Sequence, residues 1–116
     1  MFLQRYLEES KPPRGSMARL YLIPDFLQPT YIMLSKAFPS GICEAEYWGI
    51  LHILYNDMAD ENLAIIMSVL ADKPLGTITN DIYKVCQMDL DVKLVDEVKS
   101  KLNMCGYAEW KNKEMA

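Results

Sequence analysis

An all-α fold, a compact bundle of about five short helices, is what this sequence predicts. Three observations predict it. Apolar residues recur at three- and four-residue spacing along most of the chain. Gly, Pro and Asn interrupt that pattern at short intervals, most visibly at Phe38-Pro39-Ser40-Gly41. Asp, Glu and Thr gather where the segments begin, as helix caps and first-turn acids do. Strand-like alternation is confined to a weak trace around Leu20 to Ile23.

Taken in order, residues 1–10 carry Phe2, Leu3, Tyr6 and Leu7 on one helical side and read as a loose extra helix. Lys11-Pro12-Pro13-Arg14-Gly15-Ser16 reads as a linker, because proline blocks helix and glycine adds freedom. Its Pro-Arg-Gly-Ser end, just before Met17, is similar to the end of a thrombin-type cleavage site. Residues 1–16 are therefore expected to be a dispensable extension or linker, followed by one helical domain over 17–110 and a frayed tail over 111–116.

Within the domain, Pro24 and Asp25 suit a first helical turn, and Pro29 can open the helix proper, so Thr30 to Ala37 is the firm part. Glu44 to Tyr55 follows, with the stripe Tyr47, Ile50, Leu51, Leu54, Tyr55 and with Glu44 and Glu46 at its positive end. Asp57 or Asp60 is expected to cap a third helix reaching Ala71. Leu63, Ile66, Met67 and Leu70 line one side of it while Ile65 and Val69 load the other, so it reads as central. Pro74 and Gly76 are read as its stop, and Thr77 or Thr79 as the cap of a short helix over Asn80 to Gln87 with Ile82, Val85 and Cys86 inward. Asp89 or Asp91 caps the last helix, which carries Val92, Val95, Val98 and Leu102, with Leu94 beside them and Glu97 and Lys101 as an i, i+4 ion pair. Gly106 is its left-handed stop. The predicted core is Leu34, Ile50, Leu51, Leu54, Leu63, Ile66, Met67, Leu70, Ile82, Val85, Val95, Val98 and Leu102.

A chain of 116 residues holds one core and little room for an elaborate cleft. No apolar run approaches membrane-spanning length and no signal-peptide pattern opens the chain, so a cytoplasmic protein is expected. Cys43, Cys86 and Cys105 are widely spaced and odd in number, which suits buried reduced thiols rather than a disulfide scaffold. The formal charge of -4 is uneven: residues 37–83 hold one Lys against seven Asp or Glu. Such an acidic middle repels phosphate backbones and makes nucleic acid an unlikely partner.

No arrangement carries chemistry. Cys43, Cys86, Cys105 and His52 are zinc-ligand types, but no pair has the close spacing of a zinc site, so no metal or cofactor is expected. Cys43 at a helix N-terminus is the best-activated nucleophile, yet His52 lies nine residues along the same helix, about 13 Å away by helical rise, too far to share a proton. A small Cys43 hydrolase is therefore the least favoured reading. Asp57, Asp60 and Glu61 lack the calcium-loop pattern and read as caps, and no glycine-rich phosphate loop occurs. Asn80, Lys84 and Gln87 on a helix after a Gly-containing turn raise a helix-turn-helix reading, thin in cations and set beside Asp81. Trp48, Tyr107 and Trp110 fall outside the clean stripes and are the candidate partner-binding residues.

The segment Ala37-Phe38-Pro39-Ser40-Gly41-Ile42, then Tyr47 and Ile50-Leu51, together with Asp91-Val92, Val98, Leu102, Gly106 and Tyr107, resembles a small all-helical family of unknown function best known from actinobacteria. That family joins its helices through an aromatic-Pro-x-Gly turn and ends in a glycine followed by a large aromatic. The likeness spans residues 26–110, although this chain is poorer in Arg and Ala and has the N-terminal extension. It implies a bundle of about five helices and no established activity. The function expected from the sequence is a small non-enzymatic protein-interaction module, binding a protein partner or itself; the alternative is a helix-turn-helix DNA-binding protein.

Overall fold

The computed structural model describes residues 17–115, so the extra helix and linker expected over residues 1–16 lie outside the described part. Six α-helices and no strand occur among the described residues. A 3-10 segment at Met17–Leu22 and a 3-10 turn at Asp25–Leu27 lead into α1 (Gln28–Ala37). α2 (Glu44–Leu54), α3 (Asp60–Leu70), α4 (Leu75–Val85), α5 (Val92–Met104) and α6 (Tyr107–Met115) follow. The all-α bundle is thus the fold. The alternation near Leu20 belongs to the first 3-10 segment, where three-residue spacing satisfies the backbone, with Ile23 N–H donating to Leu20 O at 3.0 Å.

Local chemistry explains the boundaries. Pro29 sits in the first turn of α1, where its missing N–H costs nothing. α1 ends as Phe38 N–H bonds Leu34 O, and Gly41, at φ 90°, reverses the chain toward α2. The Cys43 N–H that would be orphaned at the start of α2 donates to the Glu46 carboxylate at 3.0 Å. Asp91 caps α5 by accepting from Lys93 N–H at 3.0 Å. Gly106, at φ 91°, is the left-handed stop after α5, and its carbonyl also accepts from Trp110 N–H, so one residue ends α5 and starts α6.

Several expectations are corrected. α4 begins at Leu75 rather than Asn80, since Pro74 stands before its first residue and Gly76 lies in its first turn. Thr79 does not cap; its hydroxyl bonds back to Leu75 O at 3.0 Å inside the helix. Neither Asp57 nor Asp60 caps α3: Ala59 holds that position, Asp60 and Glu61 occupy the first turn, and Asp57 is buried before it. The chain over 111–115 is helical, where a frayed tail was expected, because Tyr107 and Trp110 anchor α6 to the body.

The core comprises the expected residues except Val95, which is half-buried, while Val92 is 72% exposed. Only the Val98 and Leu102 edge of the α5 stripe reaches inward. Tyr31, Tyr47 and Ile78 are fully buried additions. α1 is the hub, packing on α3, α5, α6 and both 3-10 elements, whereas α3 lies against α1 and α4. That hub hides in the sequence because its buried face includes the polar Thr30 and Ser35. α2 and α5 approach closely: a Cβ on Gly49 would stand 2.9 Å from Val98 Cγ2. Lys101 of α5 reaches Glu46 of α2 at 2.8 Å across this contact, rather than the Glu97 expected on its own helix.

Candidate functional site

Two buried tyrosine–aspartate pairs organise the polar interior. Tyr47 O–H of α2 donates to Asp81 Oδ2 of α4 at 2.7 Å, with Lys84 4.0 Å from the other carboxylate oxygen. Lys73 Nζ lies 3.7 Å above the Tyr47 ring and also bonds Glu44 at 3.0 Å. Tyr107 O–H of α6 donates to Asp57 Oδ2, and Lys111 Nζ stands 3.5 Å from Asp57 Oδ1. Burial first, then the hydrogen bond to the carboxylate and its negative charge, pushes both phenols well above the ordinary tyrosine range. Both rings are neutral donors at physiological pH, and their hydrogen bonds hold α2 to α4 and α6 to the α2–α3 loop.

The Tyr107 pair borders a cleft of about 400 Å³. Phe26, Thr30, Asn56, Asp57, Asn62 and Trp110 line it, drawn from the 3-10 turn, α1, the α2–α3 loop, α3 and α6. α6 is fixed as one wall because Trp110 Nε1–H donates to Thr30 Oγ1 at 2.8 Å while its ring stacks on Tyr107, centroids 5.8 Å apart. Phe26 is 63% exposed beside this opening. On its other side Trp110 lines a second cleft of about 230 Å³, with Pro29, Ile32, Lys36, Glu109 and Lys113. The two clefts share a wall and differ in charge.

The structure brings Tyr107 and Trp110, two of the candidate partner-binding residues, together but buries both inside the protein. Trp48 is elsewhere, half-buried and edge-on to Tyr47 with centroids 5.3 Å apart. The cleft residues Phe26, Thr30, Asn56, Asp57 and Asn62 had no signal in the sequence as a group. Asp57 was legible only as a cap, since its partner Tyr107 lies fifty residues away. Cys43 and Cys86 are exposed, contrary to the expectation of buried thiols, and Cys86, expected to face inward, sits at the C-cap just after α4. Its thiol bonds back to Ile82 O at 3.2 Å within its own turn. Among the described residues no group of three His, Cys, Asp or Glu is placed to hold a metal ion. His52 Nδ1 is buried without a hydrogen-bond partner among the described residues, its ring 6.2 Å from Tyr55. No helix among the described residues is long and apolar enough to cross a membrane. No family model, curated protein or solved structure matches this chain.

Proposed function

We propose that this chain is a small non-enzymatic protein-interaction module whose docking surface is the cleft between Phe26 and Trp110, working in the cytoplasm and without a cofactor. The supporting observation is Phe26: a large ring left 63% exposed beside a cleft with polar groups on its walls. An aromatic anchor next to convergent hydrogen-bonding groups is the usual chemistry of a binding hot spot. Trp110, a candidate partner-binding residue from the sequence, supports the same reading as a buried wall of that cleft. The likeness to the actinobacterial helical family belongs to this reading and adds no activity to it.

The test is capture from the native host followed by mass measurement of the complex, with wild type and Phe26→Asp compared. The wild type is expected to retain a protein partner or a second copy, and the variant to lose it while keeping its helical spectrum. Equal capture by both proteins overturns the assignment of the surface.

The helix-turn-helix alternative draws support from α3 and α4, which meet through the short Ala71 to Pro74 connection and leave Thr77, Asn80, Lys84 and Gln87 exposed. It ranks second because Lys84, the cation that α4 carries, has the Asp81 carboxylate 4.0 Å away. Several phosphate contacts are needed for useful affinity. Retention on duplex DNA that weakens steeply with salt would restore it.

A further inference from the structure

We infer that the cleft beside Trp110 takes a basic side chain of the partner, arginine in preference to lysine; the inference rests on the docking surface proposed above. Four observations carry it. Asp57 lines the cleft with its side chain only 6% exposed, a carboxylate withheld from water. One of its oxygens accepts from the Tyr107 hydroxyl; among the described residues the other is met by the Lys111 ammonium at 3.5 Å, an ion pair longer than a charge-assisted hydrogen bond. A guanidinium that displaces the exposed Lys111 side chain can make the shorter contact. Asn56 and Asn62 add side-chain amides to the same walls, and among the described residues no Lys or Arg lines the cleft. The exposed Phe26 ring offers a face for a planar cation to stack on.

The surroundings agree in sign. Asp25 precedes Phe26, and Asp60 and Glu61 lie in the first turn of α3 between the lining residues Ala59 and Asn62, all three exposed. These two acids also answer the positive end of the α3 dipole, which would otherwise disfavour a cation there. The cleft across Trp110 is lined by Lys36 and Lys113 with Glu109, a more cationic wall. A guanidinium suits the first cleft better than an ammonium. It is planar, is less tightly hydrated, and can bridge Asp57 and an asparagine carbonyl while lying on an aromatic face.

The experiment is a titration of the full chain, labelled with ¹⁵N, using N-acetyl-arginine amide; the norleucine and glutamate analogues serve as controls. The arginine probe should move the Trp110 indole N–H and the Asn56 and Asn62 side-chain amides saturably, leaving the Trp48 indole in place. Phe26→Ala should weaken that response. Lys111→Ala should tighten arginine binding several-fold, because it removes the built-in competitor for Asp57 with an exposed side chain. This second variant matters because Asp57→Asn can fail through folding alone. If norleucine amide moves the same signals as strongly, the cleft is an apolar dock and the charge inference falls while the docking surface stands. It also falls if the glutamate probe binds better, if no probe moves these signals, or if Lys111→Ala leaves the affinity unchanged. The docking surface itself is judged separately, by the Phe26→Asp capture.

Discussion

Gly49 shows how much one missing methyl group decides. α2 and α5 approach so closely there that a Cβ would fall 2.9 Å from a methyl of Val98, a β-branched side chain with little rotamer freedom in a helix. Gly49→Ala gains helix propensity of nearly 1 kcal/mol and loses more to overpacking, about 1 to 3 kcal/mol. Urea denaturation should show net destabilisation. The Gly49→Ala/Val98→Ala double variant should be less unstable than the two single effects added, because both act on one contact. Asp57 makes a parallel argument for polar groups. Tyr107→Phe keeps the ring stack on Trp110 but removes the donor to a buried carboxylate, and should cost about 1 to 3 kcal/mol in the same measurement. A loss no larger than that of an exposed substitution would mean that water reaches Asp57 and replaces the phenol.

Among the elements, Gly76 and Gly106 predict opposite outcomes for the same substitution. Neither would bring a Cβ within 4 Å of another atom, so packing does not separate them. Gly106 has φ 91° between α5 and α6, where an L side chain is strained, and Gly106→Ala should destabilise by about 1 to 2 kcal/mol. Gly76 is exposed in the first turn of α4, and Gly76→Ala should stabilise by about 0.4 to 1 kcal/mol by restricting the unfolded chain. Thermal melts read both signs. The bridge between α2 and α5 adds a dependence on pH. Partial burial raises the Glu46 pKa, but hydrogen bonds from Lys101 and from the Cys43 backbone outweigh it and hold the carboxyl below its ordinary value. A carboxylate depressed on folding stabilises above its unfolded pKa, about 4.3 for Glu, and loses that stability as pH falls through the lower folded value. The melting temperature of wild type over Glu46→Gln should therefore lead at pH 7 and converge below about pH 4. The lead should be small, since a half-exposed ion pair contributes about 1 kcal/mol or less.

At the scale of the whole molecule, buried phenols tie the bundle to the neutral form of tyrosine. Burial raises Tyr31, Tyr47 and Tyr107, and the last two also face carboxylates. A group raised on folding stabilises fully below its unfolded pKa, about 10 for tyrosine, and that contribution is lost as pH rises toward the folded value. Alkaline unfolding followed by circular dichroism should coincide with late phenolate absorbance from these three rings. Phenolate signal from all of them before any loss of helix would contradict their burial. The last helix is tested by truncation after Gly106. Because Tyr107 and Trp110 bond to Asp57 and Thr30, removal of α6 should destabilise the whole bundle, whereas loss of an unattached tail would not.

The helical class, α2, α3, α5 and most of the core were written in local terms: apolar spacing, the Asp91 cap, and stops at Gly41 and Gly106. Each depends on residues within a turn or two, which is the range over which sequence order and spatial neighbourhood coincide. α4 was misplaced at its start because Pro74 and Gly76 act as stops in one context and as a first turn in another. α6 was missed because it has two apolar anchors, Tyr107 and Trp110, on an otherwise polar segment. The role of α1 as hub, the two tyrosine–aspartate pairs and the Phe26 cleft came only with the tertiary structure. Thr30 and Trp110 are eighty positions apart, and Asp57 and Tyr107 fifty. Each of these polar side chains is ordinary in its own stretch of sequence, and its role is set by the partner that folding brings to it.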